Sequence, residues 1–293
     1  MTLKEFFAEQ QRLIDAALDR FTPPESEHPS TIHRAMRHSL FAGGKRIRPI
    51  LCIAAAGAVS DHSAAVMHAA CSLEMIHTYS LIHDDLPALD NDDFRRGKPT
   101  CHKVFGEAMA ILAGDALFTL AIQTLSRIDS DPARVVALIR ELSFASGTVD
   151  GMIGGQVTDI ESERQMPTAE LLDSIHRAKT GALLRASVRM GGIAAGGDAA
   201  QIEALSRYGE HVGLAFQIVD DILDVEESSE ALGKTAGKDA AQGKITFPAV
   251  YGLEVSREMA QEQCGLSHEA LSAFAAGAMR LHEIADLIVQ RKS

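Results

Sequence analysis

Tryptophan is missing from this chain, and proline is scarce, at nine residues in 293. With alanine and leucine abundant, these shortages favour helix over sheet. Positive charge is short as well: 28 lysines and arginines stand against 40 aspartates and glutamates, a net charge of −12. That balance argues against nucleic-acid binding, and an anionic substrate would need local cations or a metal. The four cysteines, Cys52, Cys71, Cys101 and Cys264, show no paired metal spacing and no dense framework. Reduced thiols and a cytoplasmic location are the expectation. Residues Met1 to Phe7 lack the long apolar core of a signal peptide. No run of about 18 uncharged apolar residues reads as a membrane span. Hydrophobic residues still make up 46% of the chain, ample for a large core.

What is present is concentrated acid. Residues 80–97 read Ser-Leu-Ile-His-Asp-Asp-Leu-Pro-Ala-Leu-Asp-Asn-Asp-Asp-Phe-Arg-Arg-Gly, with carboxylates at 84, 85, 90, 92 and 93 followed directly by Arg95 and Arg96. Like charges this dense repel. On an apolar flank they need compensation, and a hard divalent cation with oxygen ligands, Mg2+ or Ca2+, supplies it. The adjacent arginines make phosphate the cation's natural second partner. A second cluster, Asp220-Asp221-Ile222-Leu223-Asp224, follows Phe216-Gln217-Ile218-Val219. Asp220 and Asp224 are four apart and share a helical face. Two such clusters on facing helices can hold metals between them. Either alone also reads as a solvated acidic helix end. Both together, set among Ile, Leu, Phe and Val, make that reading costly.

Helical spacing covers residues 3–21, and a loop over 22–29 leads to a helix from a Ser30 cap to about Leu40. Gly43-Gly44-Lys45-Arg46-Ile47-Arg48-Pro49 reads as a loop entering a helix, with Pro49 in its first turn. Backbone amides at a helix start, with Lys and Arg, form an anion site. The plainer reading is an ordinary basic helix start, and the glycine spacing is not that of a Walker loop. Helices are predicted over 50–58 and 63–85, the second carrying His77, Tyr79 and Ser80 towards the acidic stretch. His77 reads as a core histidine or as a phosphate donor. Pro87 ends that helix near Leu86, which lets Asp90 fold back towards Asp84. Further helices are predicted over 107–127, from an Asp131 cap to about Ala145, over 168–191 with Lys179, Thr180 and Arg185, and over 199–226. Gly147 to Gly155 is glycine-spaced yet able to stay helical, delivering Gln156 and Asp159. Gly233 to Lys244 reads as a solvated linker or as a lid bringing Lys234 and Lys244 to an anion. Helices over 246–262 and 268–291 complete the chain. With no strand alternation and no domain linker, the expectation is one large all-α domain over 1–293.

One family carries this set of motifs in this order. Gly44-Lys45-Arg46-Ile47-Arg48-Pro49, His77, Asp84-Asp85-Leu86-Pro87-Ala88-Leu89-Asp90, Arg95-Arg96-Gly97, Gly114-Asp115, Gly155-Gln156, Lys179-Thr180-Gly181 and Phe216-Gln217 through Asp224 resemble the trans-isoprenyl diphosphate synthases, in their bacterial farnesyl-type branch. The resemblance runs from near residue 30 to the C-terminus. It implies an isoprenoid synthase-like helical bundle around a deep central cavity, usually a homodimer. It implies head-to-tail condensation of isopentenyl diphosphate with dimethylallyl or geranyl diphosphate, giving farnesyl diphosphate and pyrophosphate. The cofactor it implies is Mg2+, three ions per site, with Mn2+ able to substitute.

By position, the resemblance makes Asp84, Asp90 and Asp220 the primary metal ligands, with Asp85, Asp221 and Asp224 beside them. It assigns Arg95, Lys179, Lys234 and Lys244 to the allylic diphosphate, and Lys45, Arg48, His77 and Arg96 to isopentenyl diphosphate. Thr180 and Gln217 fall near the reacting carbons. Tyr79 lies upstream of Asp84, deeper along the helix, and an ideal wheel puts Ser80 rather than Tyr79 under Asp84. Geometry alone does not choose between them. An aromatic at Tyr79, together with Pro87-Ala88, is typical of relatives that stop at farnesyl. Relatives with a smaller or unbranched residue there tend to reach geranylgeranyl, the alternative product. Many relatives have Asp where Asn91 stands, outside the implied ligand pair.

Three rivals fit less well. A class I terpene cyclase would pair its aspartates with an Asn/Asp-Asp-x-x-Ser/Thr-x-x-x-Glu element, which the second cluster does not match. A catalytically silent synthase subunit tends to lose aspartates or basic residues, and none is lost here. A calcium loop beginning at Asp90-Asn91-Asp92 lacks the required glycine and terminal glutamate.

Overall fold

The computed structural model describes residues 1–60, 65–162, 168–226 and 245–291. In chain order its helices are α1 (Leu3–Phe21), α2 (Ser30–Leu40), α3 (Ile47–Val59), α4 (Ala65–Asp84), α5 (Cys101–Phe105), α6 (Glu107–Ser126), α7 (Pro132–Ser146), α8 (Met152–Ser162), α9 (Ala169–His176), α10 (Ala182–Ala194), α11 (Ala199–Glu226), α12 (Phe247–Tyr251), α13 (Leu253–Ala270) and α14 (Met279–Gln290). A π-turn, Arg177–Gly181, joins α9 to α10, and a 3-10 stretch, Ser272–Ala278, precedes α14.

Local signals account for several of the ends. Thr2 and Glu5 form a capping box on α1. Asp131 accepts from the Ala133 amide at 3.0 Å, and Pro132 opens α7. Ser30 is not a cap. It is the first residue of α2, with Pro29 before it.

The helix α4 is apolar on nearly every side. Ala69, Ala70, Cys71, Leu73, Met75 and Ile76 are all enclosed, as a central helix must be. It packs along α6, while α10 packs on α3 and α11, and α11 on α13. Among the described residues, α6 is the helix long and apolar enough to cross a bilayer. Here Ala110, Ala113, Leu117 and Ala121 bury its inner face against the core. A smaller apolar cluster, including Leu172, Ile218, Val219, Ile222 and Phe247, supports the second acidic segment from below.

Five features depart from the sequence expectation, the first being that the predicted helix over 268–291 is broken by the 3-10 stretch Ser272–Ala278 before α14. The chain leaves helix between α7 and α8, because Gly151 and Gly154 fold tightly onto the backbone of Gly147 and Thr148, where a Cβ has no room. The predicted helix over 168–191 carries the π-turn and runs on to Ala194. The predicted helix over 246–262 is interrupted at Gly252, whose φ of 82° is left-handed. Two short strands exist, β1 (Phe94–Arg95) and β2 (Lys98–Pro99), paired antiparallel.

Candidate active site

Asp84 is the last residue of α4, and the chain turns back at once. The Asp90 amide donates to the Asp84 carbonyl at 2.8 Å, and the Asn91 amide to Leu86 at 3.1 Å. This is the return that Pro87 foreshadows. Asn91 sits at φ 49°, a left-handed value that asparagine tolerates well. Burial pushes the Asp84 carboxyl up to about 6; Lys179 opposes the shift, while Asp90 and Asp85 add to it. Asp85 is buried, and Arg95 grips its Oδ1 with Nε at 2.7 Å and Nη2 at 2.6 Å.

The hairpin aims the two arginines. Arg96 and Gly97 form its two-residue turn, at φ 52° and 74°, the pattern that joins twisted strands. The Arg96 guanidinium donates to the Gly43 carbonyl and occupies the space where a Cβ on Gly44 would stand. The Gly43-Gly44 pair is thus a seat for Arg96.

The three cations after it divide. Arg46 is buried and fully engaged, donating to Glu74 at 2.6 Å, Asp15 at 2.9 Å and the Leu40 carbonyl at 2.8 Å. It anchors the loop, its guanidinium fully engaged by protein partners. Arg48 is the opposite case, since its Nε is buried without a partner. Burial draws its pKa down to about 10, against the pull of Glu74 and Asp220. His77 lies well below the usual imidazole value, through burial and the fields of Arg48, Arg96, Arg95 and Arg46. A neutral imidazole among four arginines, beside an unpartnered guanidinium nitrogen, is a place short of an anion. Lys45 is exposed at the head of α3.

The π-turn presents Lys179, whose Nζ donates to Asp159 on α8 at 2.6 Å. Such turns recur at functional sites. Gly155 on α8 makes the approach possible, because a Cβ there would sit on the Lys179 backbone. At an open helical position Gly→Ala stabilises by up to about 1 kcal/mol. Gly155→Ala is expected to destabilise instead, by roughly 1–3 kcal/mol, and a lowered melting temperature in circular dichroism checks the sign. Thr180 is half-buried beside Lys179.

On α11, Asp220 accepts from Arg291 Nη2 at 2.6 Å, and Arg291 also donates to the Phe216 carbonyl at 2.9 Å. Burial raises the Asp220 pKa, Arg291 pulls it down, Asp221 pushes it up and Arg48 lowers it. Asp221 is buried and occupied, since its Oδ2 accepts from the Phe247 amide at 2.8 Å. The same oxygen lies 3.4 Å from His176 Nε2, an ion-pair distance without hydrogen-bond geometry. His176 Nδ1 meets Gln217 Oε1 at 2.9 Å. Burial works against the charged imidazole of His176, yet Asp221 and Gln217 leave its pKa raised. Asp224 is half-buried further along the helix. Neither His176 nor Arg291 stands in a motif, so the sequence does not single them out. Lys234 and Lys244 lie outside the described residues.

Tyr79 is buried, edge-on to Phe118 of α6 at 5.3 Å and to His83 at 5.8 Å. Its hydroxyl is buried without a partner, and burial with the Asp84 charge pushes it up to about 12. Gly114 leaves the room that the His83 ring fills. Ser80 Oγ donates to the His77 carbonyl at 2.9 Å, so it turns in on its own helix. A small cavity of about 20 Å³ adjoins Asp85, Arg95 and Arg96. A cavity of about 840 Å³ opens beside the π-turn, lined by Arg140, Glu141, His176, Arg185 and Arg189 and by none of the clustered aspartates.

Buried carboxylates with raised pKa values fit a divalent cation, which would neutralise them without a proton. The cationic set around Arg48 and His77 fits a phosphate group. Buried acidic and basic groups that feel one another's charge within a helical bundle, Asp84 with Lys179 and Asp220 with Arg48, are what a class of enzyme handling diphosphates through metal requires. The chain belongs to the polyprenyl synthetase family, which matches residues 29–273. It is a prenyltransferase of isoprenoid biosynthesis, in a family that depends on divalent metal.

Among its relatives, the farnesyl diphosphate synthase of Geobacillus stearothermophilus is 47% identical over 261 residues, 88% of this chain and 87% of that protein. The heterodimeric geranylgeranyl pyrophosphate synthase large subunit 1, chloroplastic, of Arabidopsis thaliana is 52% identical over 257 residues, 85% of this chain and 68% of that one. The crystal structure of an FPP/GFPP synthase from Zymomonas mobilis superposes with a TM-score of 0.88 at 37% identity, covering 98% of each chain.

Proposed function

We propose that this protein is a Mg2+-dependent farnesyl diphosphate synthase, adding isopentenyl diphosphate head to tail to dimethylallyl and then geranyl diphosphate. In this reading Asp84, Asp90 and Asp220 hold the metal, with Asp85, Asp221 and Asp224 around them. Bound Mg2+ supplies positive charge to the departing diphosphate. Arg95 and Lys179, joined by Lys234 and Lys244, hold the allylic diphosphate and stabilise the charge that develops as it leaves. Lys45, Arg48, His77 and Arg96 hold isopentenyl diphosphate. That fixes its double bond against the allylic cation, the orientation term of the reaction. Thr180 and Gln217 flank the reacting carbons, and apolar walls keep out water that would quench the cation. The displaced pyrophosphate takes the proton lost as the product forms.

The observation that carries the product assignment is Tyr79. Its ring packs edge-on to Phe118 and His83, and in this reading it closes the direction in which a growing chain would run. Tyr79→Ala or Tyr79→Met is expected to shift product from C15 towards C20, and Ser80→Phe to shorten it towards C10, as read by sizing labelled products. A wild type that already makes mainly C20 would favour the geranylgeranyl reading, which the names of the plant relatives support.

A single catalytic domain over 1–293, a homodimer and a cytoplasmic location belong to the same reading. Exposed Ile111 and Leu112 on α6, Val136 and Phe144 on α7, and Ile153, Val157 and Ile160 on α8 support the dimer. A second copy covering that apolar surface would remove it from water. The four cysteines are free and buried.

A further inference from the structure

Far from the aspartates in sequence, α13 and α14 bring together four groups that the reaction does not use. Cys264 and His268 are one turn apart on α13, and His282 and Asp286 one turn apart on α14. Cys264 Sγ lies 3.6 Å from His268 Nε2 and 3.7 Å from Asp286 Oδ1, and those two atoms are 2.9 Å from each other. We propose that Cys264, His268 and Asp286 form a zinc site, with His282 orienting His268 and solvent supplying the fourth ligand.

The triangle is close to the right size, its N–O edge shorter because His268 Nε2 and Asp286 Oδ1 are hydrogen-bonded to each other without metal. A tetrahedral zinc bound by sulfur, nitrogen and oxygen at ordinary bond lengths has S–N and S–O edges of about 3.5 Å and an N–O edge of about 3.3 Å. The donor set also selects the metal, since thiolate and imidazole favour zinc over the oxygen-seeking Mg2+. One thiolate and one carboxylate cancel the charge of the ion, so the partly buried cluster is neutral when filled. Binding exchanges the thiol proton for the metal, releasing one proton and forming the metal–sulfur bond.

The second partner of the imidazole is already in place. His268 Nδ1 meets His282 Nδ1, and the rings lie within 12° of parallel. A metal-bound histidine ordinarily donates its other N–H to such an acceptor. His282 Nδ1 is the atom placed to accept it. The Asp286 side chain is 51% exposed, which leaves a path for the ion and room for water. A filled site would clamp α14 to α13, and α14 leads directly to Arg291, which holds Asp220. Cysteine spacing does not reveal the site because only one thiol takes part.

Cobalt titration of chelator-treated wild type tests this directly. The proposal predicts a thiolate-to-cobalt charge-transfer band saturating at one ion per chain and bleached by Zn2+. Oxygen ligands such as the clustered aspartates produce no such band. Cys264→Ser should abolish it, and His282→Ala should retain it while weakening affinity about 10- to 100-fold. Absence of the band at stoichiometric cobalt, or its survival in Cys264→Ser, overturns the site.

Discussion

Asp84→Ala and Asp220→Ala should each lower turnover by roughly 10³-fold or more while leaving the helical fold intact, because in the proposed reading each removes a ligand from a charge-stabilising assembly. The two residues come from different helices, so equal severity is the signature of a shared centre. A second consequence separates function from stability. The Asp84 carboxyl is raised by burial from 3.8 to about 6, so the metal-free folded chain holds its proton more tightly than the unfolded one. The stability that proton contributes is fully present below the unfolded value and is lost as pH rises through the folded one. A shift of this size corresponds to roughly 2–3 kcal/mol. Asp84→Asn should therefore raise the melting temperature of the metal-free protein at pH 8, with little gain at pH 4, while remaining inactive. Thermal melts in chelator at the two pH values, beside steady-state assays, check both parts. Near wild-type turnover in either alanine variant contradicts the two-cluster site.

Arg48→Ala carries the other large effect. Arg48 is buried at its Nε without a partner and lies in the field of Asp220 and Arg96. A cation so placed is costly unless an anion completes it. Loss of a charge-assisted contact of roughly 1.5–3 kcal/mol predicts about a 10- to 100-fold rise in KM for isopentenyl diphosphate. The KM for the allylic substrate should move far less if, as proposed, Arg95 and Lys179 serve that partner. Equal shifts for both would remove the division between the basic groups. Since the substitution removes a buried polar atom that has no partner, the variant's melt should be no worse than that of the wild type, which a merely structural arginine would not allow.

Much of this site is legible in the sequence itself. The Asp84 turn, the return of Asp90 after Pro87 and the long helix carrying Asp220 follow from local chemistry: a proline, a charge cluster and an apolar period of 3.6. The parts that are not legible there depend on contacts far apart in the chain. Arg46 and Arg48 look alike in Gly-Lys-Arg-Ile-Arg-Pro, yet one is neutralised by Glu74 and Asp15 and the other keeps a buried Nε without a partner. Helix geometry around a left-handed Arg46 at φ 51° decides which. The hairpin leaves little signal because two-residue strands have no alternation to detect, and only Arg96-Gly97 marks its turn. The π-turn at Lys179 leaves no compositional trace, since it answers to the close approach of Gly155. His176 and Arg291 reach the second cluster from other parts of the chain, so nothing near Asp220 announces them.

The most direct measurement is incubation of the purified wild type with labelled isopentenyl diphosphate and geranyl diphosphate, with Mg2+ or with chelator, followed by sizing of the products. The account predicts one dominant C15 product with Mg2+, and none with chelator. No condensation product with Mg2+, or a product formed equally well in chelator, would contradict it.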